Sequence, residues 1–129
     1  MIKLTDQAKK LLDGKNFVSV ATLMPDGSAQ VAPLWVDREG DYVLINTTEK
    51  RQRYRNLMRD PRVALSVYDQ NNPYSKVLIR GKVVEMTKKG AEAHIDKLAT
   101  KYTNNPKYPN HSPDEPRVII KIEPLHITH

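Results

Sequence analysis

The chain has 129 residues, no cysteine and a formal net charge of +6, enough for one moderate core, with disulfides, thiol chemistry and cysteine-ligated zinc excluded. No apolar run reaches the length of a membrane span, and residues Met1 to Leu12 lack the apolar centre of a signal peptide, so a soluble, cytoplasmic, single-domain protein over residues 1–129 is expected. Residues 49–62 alone carry six basic and two acidic side chains; the positive excess is largely local and suits a small polyanionic ligand better than a long nucleic-acid track.

In chain order, Thr5 to Asp13 is predicted as a helix, with Thr5 as N-cap, Ala8, Leu11 and Leu12 as its apolar stripe and Gly14 as its stop. It is expected to act as a lid on one end of the fold. Phe17 to Leu23 and Ala29 to Asp37 read as strands joined by the tight turn Pro25-Asp26-Gly27-Ser28, and so as a hairpin. Pro33 lies inside the second strand. Having no N–H to give a ladder, it marks an edge, a bulge, or backbone facing something other than a strand. After Arg38-Glu39-Gly40-Asp41, the run Tyr42 to Thr47 is a third strand.

A short helix follows, capped by Thr47 or Thr48 and ended by Asp60-Pro61. Tyr54, Leu57 and Met58 form its apolar stripe, while Arg51, Arg55 and Arg59 form a basic one. Arg51 and Arg53 occupy the first turn, where the macrodipole and unpaired N–H groups disfavour cations. A bound anion such as phosphate would explain them, since dipole, N–H groups and guanidinium forks would all contact it; a solvated basic face is the alternative.

Arg62 to Tyr68 and Lys76 to Glu85 continue the strands, with Gly81 marking a bulge or barrel corner. Thr87 is predicted to cap a helix over Lys88 to Tyr102, and residues 103–116, with four prolines, form a loop long enough to suggest function. Arg117 to Ile122 is the last strand, broken by Pro124. The sum is a mainly β (α+β) fold: a six-stranded antiparallel Greek-key barrel with flanking helices.

The stretch Tyr42 to Val67, following Pro25 to Asp41, resembles the flavin-binding split-barrel family, the pyridoxamine 5'-phosphate oxidase-like proteins. Arg51-Gln52-Arg53, Arg55-Asn56-Leu57 and Asp60-Pro61-Arg62-Val63 most resemble its small branch that uses the deazaflavin coenzyme F420; the likeness covers residues 7–127. The resemblance implies that Arg51 and Arg53 hold the cofactor phosphate. It puts Asn46, Thr47 and Thr48 at the ring and ribityl chain, with Ala32, Pro33 and Leu34 along the ring edge. It further implies a homodimer with cofactor at the interface, F420 or alternatively FMN as cofactor, and hydride transfer to a small conjugated or quinone-like acceptor. Lys50, Arg55, Lys76 and Arg80 are candidates for a cationic groove holding the F420 polyglutamate tail. The C-terminal residues that bind substrate phosphate in true pyridoxamine 5'-phosphate oxidases have no counterpart here.

No P-loop, Rossmann glycine pattern, Gly-x-Ser-x-Gly elbow or His-Glu-x-x-His occurs, and no catalytic acid–base pair or metal site is assigned. His94 is expected on a helix surface and His111 in solvent, and the His126/His129 spacing is a weak metal signal. Trp35 and Tyr68 are expected in the core or an interface, and Tyr74, Tyr102 and Tyr108 are candidates for a substrate mouth. A nucleic-acid-binding barrel is the less favoured alternative, because the strands carry no aromatic stacking platform.

Overall fold

The computed structural model describes residues 1–129. Strands β1 (Val18–Leu23) and β2 (Ala29–Leu34) form the expected hairpin, pairing Val18 with Leu34 through Leu23 with Ala29. Its turn is closed by Asp26, whose Oδ1 accepts from the Ser28 N–H at 2.9 Å and from Ser28 Oγ at 2.6 Å. Gly27 supplies the positive φ of 86° that the turn needs.

The chain continues through β3 (Asp37–Glu39), β4 (Tyr42–Thr48), helix α2 (Gln52–Arg59), β5 (Arg62–Asp69), β6 (Asn72–Thr87), helix α3 (Ala91–Thr103) and β7 (Arg117–Thr128), all preceded by helix α1 (Asp6–Asp13). The seven strands make one antiparallel sheet in the order β2-β1-β5-β6-β7-β4-β3, one strand more than the sequence led us to expect. The strand expected over Ala29 to Asp37 ends at Leu34 and hands its last residue to β3 on the opposite edge of the sheet. From Leu34 to Asp37 there are three Cα steps, which reach at most about 11 Å. The sheet therefore has to curl until its edges nearly meet, and the result is a split barrel.

The crossing is pinned by α3. Val36 is fully buried; its N–H donates to Tyr102 Oη at 3.1 Å and its carbonyl accepts from Lys101 Nζ at 2.8 Å. Lys101 also donates to the Leu12 carbonyl at 2.7 Å, serving an unpaired acceptor at the end of α1.

The two short helices close opposite ends of the barrel. Thr5 caps α1 as expected, its hydroxyl accepting from the Ala8 N–H at 3.1 Å, and Ala8, Leu11 and Leu12 enter the core beside Val18, Val67 and Val77. At the other end α2 contributes Leu57 to that core; burying a leucine side chain is worth about 1.5–3 kcal/mol. Met58, expected on the apolar stripe, is instead 63% exposed, and Asn56 is buried in its place. The polar end of β1 explains this, because Asn56 Nδ2 donates to Thr22 Oγ1 at 3.0 Å.

Two helix starts differ from expectation. Thr47 and Thr48 belong to β4 and the N-cap of α2 is Arg51, without a side-chain cap bond. Thr87 ends β6, and a turn through Gly90, at φ 76°, makes glycine the N-cap of α3. Likewise β7 continues through Pro124, because the β6–β7 register shifts at Arg80/Gly81 and sets Gly81 opposite Pro124. Only glycine fits there: a Cβ at position 81 would overlap the Glu123 carbonyl oxygen. No helix is long and apolar enough to cross a membrane.

Candidate functional site

Strand β4 pairs with β3 only over Tyr42 to Leu44, so Ile45 to Thr48 has a neighbour only in β7. On the facing edge, β2 pairs only with β1, which is where Pro33 is tolerated without a donor. Along this split lies a cavity of about 530 Å³, walled by the ends of β2 and β4, the start of α2, α3, the 104–116 loop and the start of β7. Six of the residues singled out from sequence line it: Pro33, Leu34, Asn46, Thr47, Arg51 and Arg53. Ala32 lies opposite Val20 on the core side of the hairpin, Thr48 is buried at the end of β4, and Lys50 and Arg55 sit apart from the cavity. Arg55 instead closes onto its own helix start, donating to the Lys50 carbonyl at 2.8 Å and to Gln52 Oε1 at 2.7 Å. Lys76 and Arg80 lie on β6, Arg80 beside Ala21, Ala64 and His126 at a separate apolar hollow. Within one chain the four cations considered for a tail groove therefore do not converge.

The turn from β4 into α2 carries an imbalance. The buried side-chain polar atoms without any hydrogen-bond partner are Thr47 Oγ1, Thr48 Oγ1 and Arg53 Nε, all within seven residues of one another. Each such atom costs about 1–3 kcal/mol. Neither a capping side chain nor an acidic residue serves the first turn of α2, although its N–H groups and dipole favour an anion. Burial pushes the Arg53 guanidinium below its ordinary pKa, and the charges of Arg51 and Arg117 push it the same way. An oxyanion in the cavity would meet Thr47, Arg51 and Arg53, which line it, together with the free N–H groups of the turn.

Arg117 and the polar chain behind it are not marked by any local motif in the sequence. Arg117 lines the cavity, donates from Nε to Asn46 Oδ1 at 2.8 Å and lies 5.1 Å from the Tyr108 ring centroid. Asn46 Nδ2 donates to the Ala91 carbonyl at 3.0 Å and reaches His94 Nδ1 at 3.1 Å. His94 is not on the helix surface but 9% exposed, with Nε2 3.0 Å from Asp37 Oδ2. Burial alone would raise the Asp37 carboxyl, but hydrogen bonds from His94, the Arg38 N–H and Lys97 hold it well below the usual carboxylate range. The signal for Arg117 lay in the sheet order: its antiparallel partner is Thr48, a pairing that the sequence alone does not disclose.

Of the tyrosines considered for a substrate mouth, Tyr108 lines the cavity. Tyr102 is stacked between Phe17, at 5.6 Å, and Trp35, at 5.4 Å, and donates to the Asn16 carbonyl at 2.7 Å. Tyr74 is 87% exposed on β6. Trp35 is half-buried at the cavity wall. His126 lies opposite Arg80 in the β6–β7 ladder, whereas His129 reaches Thr5 Oγ1 at 2.9 Å; no group of acidic and histidine side chains could hold a metal ion.

Residues 4–129 match the family described as Pyridoxamine 5'-phosphate oxidase, and the chain belongs to that family. No curated protein matches it. Among solved structures it is similar to an F420 reductase, at 32% identity and a TM-score of 0.86 over 97% of this chain and 98% of that one. It shares its fold with an FMN-binding protein from Syntrophomonas wolfei, at 15% identity and a TM-score of 0.69 over 95% of this chain and 83% of that one. HupZ of Group A Streptococcus is a further fold relative, at 17% identity and a TM-score of 0.68 over 96% and 91% of the two chains.

Proposed function

We propose that this member of the pyridoxamine 5'-phosphate oxidase family is an oxidoreductase that binds F420 in the cavity along the barrel split and passes hydride to a small conjugated or quinone-like acceptor. The observation that carries the reading is the coincidence of three unpartnered buried donors, Thr47 Oγ1, Thr48 Oγ1 and Arg53 Nε, at a helix start that also bears Arg51. A phosphate suits that donor set, and a volume of about 530 Å³ lies within the range of small-molecule and cofactor sites. The cofactor, when bound, supplies the hydride chemistry. The chain's own contribution is positional. Arg51 and Arg53 present forks to the phosphate, the Thr47 hydroxyl donates to it, and Pro33 and Leu34 flank the ring from the edge strand. Leu98 and Ile95 complete an apolar wall that excludes water from the reacting face. The likeness to an F420 reductase, at 32% identity, favours the deazaflavin.

FMN is the second reading, favoured by one observation: Lys50, Arg55, Lys76 and Arg80 do not gather into a groove for a polyglutamate tail, and FMN needs none. Titrating the purified protein with each cofactor, read through Trp35 fluorescence, decides between them. Tight binding of F420 alone supports the deazaflavin assignment, tight binding of FMN alone transfers the protein to the flavin branch, and binding of neither overturns the function.

The same reading includes a homodimer. The outer face of the β2-β1-β5-β6 sheet carries the ladder rows Val31–Ala21–Ala64–Arg80 and Pro33–Ser19–Ser66–Leu78, with Val31 66% and Leu78 41% exposed. A hollow of small side chains flanked by exposed apolar ones suits a second copy of this surface. Sedimentation of the wild type as a dimer and of Ala64→Arg as a monomer is the expected result; a monomeric wild type would contradict it.

A further inference from the structure

We infer that Arg117 is a third anion-binding arginine of the cavity, and that Asn46, His94 and Asp37 are positioning residues that aim it. Resting on the reading above, this inference assigns to the cofactor phosphate a binding group from β7 that lies outside the strand-to-helix turn.

Asp37 is charged and held by the Arg38 N–H at 2.8 Å and by Lys97 Nζ at 3.1 Å. A carboxylate can only accept, so His94 Nε2, 3.0 Å from Asp37 Oδ2, carries the proton. Nδ1 is then bare and accepts from the Asn46 amide nitrogen at 3.1 Å, whose other hydrogen goes to the Ala91 carbonyl. With both amide hydrogens committed, Asn46 Oδ1 has one orientation open to it and receives Arg117 Nε at 2.8 Å. Every donor meets an acceptor in this arrangement and in no other, because turning the Asn46 amide would set its hydrogens against Arg117 Nε and its oxygen against the His94 lone pair.

The chain thus fixes the root of the guanidinium, and the Tyr108 ring centroid lies 5.1 Å from its carbon. Nε is committed to Asn46, and Arg117 lines the cavity beside Tyr108. Arg117, Arg51 and Arg53 have no carboxylate within ion-pair distance; burial disfavours the charge of Arg53, as do Arg51 and Arg117, and burial disfavours that of Arg117, with Tyr108 and Glu92 partly offsetting it and Arg51 adding to it. Three unneutralised guanidinium groups around one cavity, two of them half-buried, cost free energy unless an anion joins them.

The test measures affinities of wild type, Arg117→Met, Arg117→Lys and Arg51→Ala/Arg53→Ala for F420, FMN and inorganic phosphate, by Trp35 fluorescence, with circular dichroism confirming the fold. Loss of one charged fork should weaken the phosphate-bearing ligand by about ten- to a hundredfold. Lysine, which keeps the charge without the fork or the bond to Asn46, should recover part of it. If Arg117→Met and Arg117→Lys both bind like wild type while the Arg51/Arg53 double variant fails, the inference is overturned and the cofactor reading stands. If wild type binds phosphate in an Arg117-dependent way but neither cofactor, the inference stands and the cofactor reading falls. Wild type binding none of the three ligands overturns both.

The positioning role has its own readout in a double-mutant cycle. His94→Phe should weaken binding in the wild-type background and have little further effect in Arg117→Met, and His94→Gln, whose amide oxygen can accept from Asn46, should restore part of the loss. Equal losses from His94→Phe in both backgrounds would make His94 merely structural.

Discussion

Asn56 has no accessible surface, and its amide joins α2 to β1, donating to Thr22 Oγ1 at 3.0 Å and to Met24 Sδ at 3.4 Å while accepting from Gln52 Nε2 at 2.9 Å. Truncation would leave the Thr22 hydroxyl unpaired in the interior. Asn56→Ala is therefore expected to cost about 1–3 kcal/mol, measured as a lower urea midpoint at unchanged slope. Arg51 and Arg53 are the opposite case. Neither forms an ion pair, and Arg53 is disfavoured by burial and by its neighbours' charge. The Arg51→Ala/Arg53→Ala variant should lose cofactor binding yet melt no earlier than wild-type apoprotein; an earlier melt would show that the pair supports the fold rather than a ligand. The two arginines were legible in sequence because cations in a first helical turn run against the dipole. Asn56 was not, because a helical stripe drawn from hydrophobicity chooses Met58, and only the polar end of β1 explains why the amide goes inside.

Among the elements, the 104–116 segment has the clearest pH dependence. His111 fastens it to α3 through both ring nitrogens, Nδ1 to Glu92 Oε1 at 2.9 Å and Nε2 to Asp96 Oδ1 at 2.6 Å, and the Tyr108 N–H adds a bond to Asp96 at 2.8 Å. Hydrogen bonds from Asp96 and then Glu92 raise the His111 pKa above its ordinary value. A folded-state pKa raised above the unfolded one gives a contribution complete below about pH 6.5 and lost as pH rises through the higher folded value. Amide exchange in residues 104–116, corrected for intrinsic rate, should accelerate through that rise in wild type and stay flat in His111→Asn. Asp37 has the opposite sign: its depressed pKa gives a contribution kept above the ordinary carboxylate range and lost only in acid. The sequence marked the loop by its prolines and left His111 in solvent, since nothing local shows that α3 presents Glu92 and Asp96 one turn apart beneath it.

At the scale of the whole molecule, the hairpin turn, the order of the long strands and the barrel class followed from turn residues and alternation. The seventh strand did not, because Asp37–Glu39 is short and polar and is defined only by pairing with Tyr42 to Leu44 after the chain crosses the split at Val36. That crossing is what opens the cavity: Trp35 and Val36, which carry the chain across the split, leave the ends of β2 and β4 each paired on one side only, around a space where Thr47, Arg51, Arg53 and Arg117 meet. The turn's contribution was readable before folding and Arg117's was not, since it depends on β7 lying beside β4. The most direct test is to compare each cofactor with its phosphate-free counterpart, FMN with riboflavin and F420 with its ribityl-deazaflavin core, by calorimetry on the same preparation. A phosphate held by four donor side chains should make the phosphate-bearing member of the preferred pair bind at least about a hundredfold tighter. Equal affinities within both pairs would contradict the assignment of the split cavity to a phosphate.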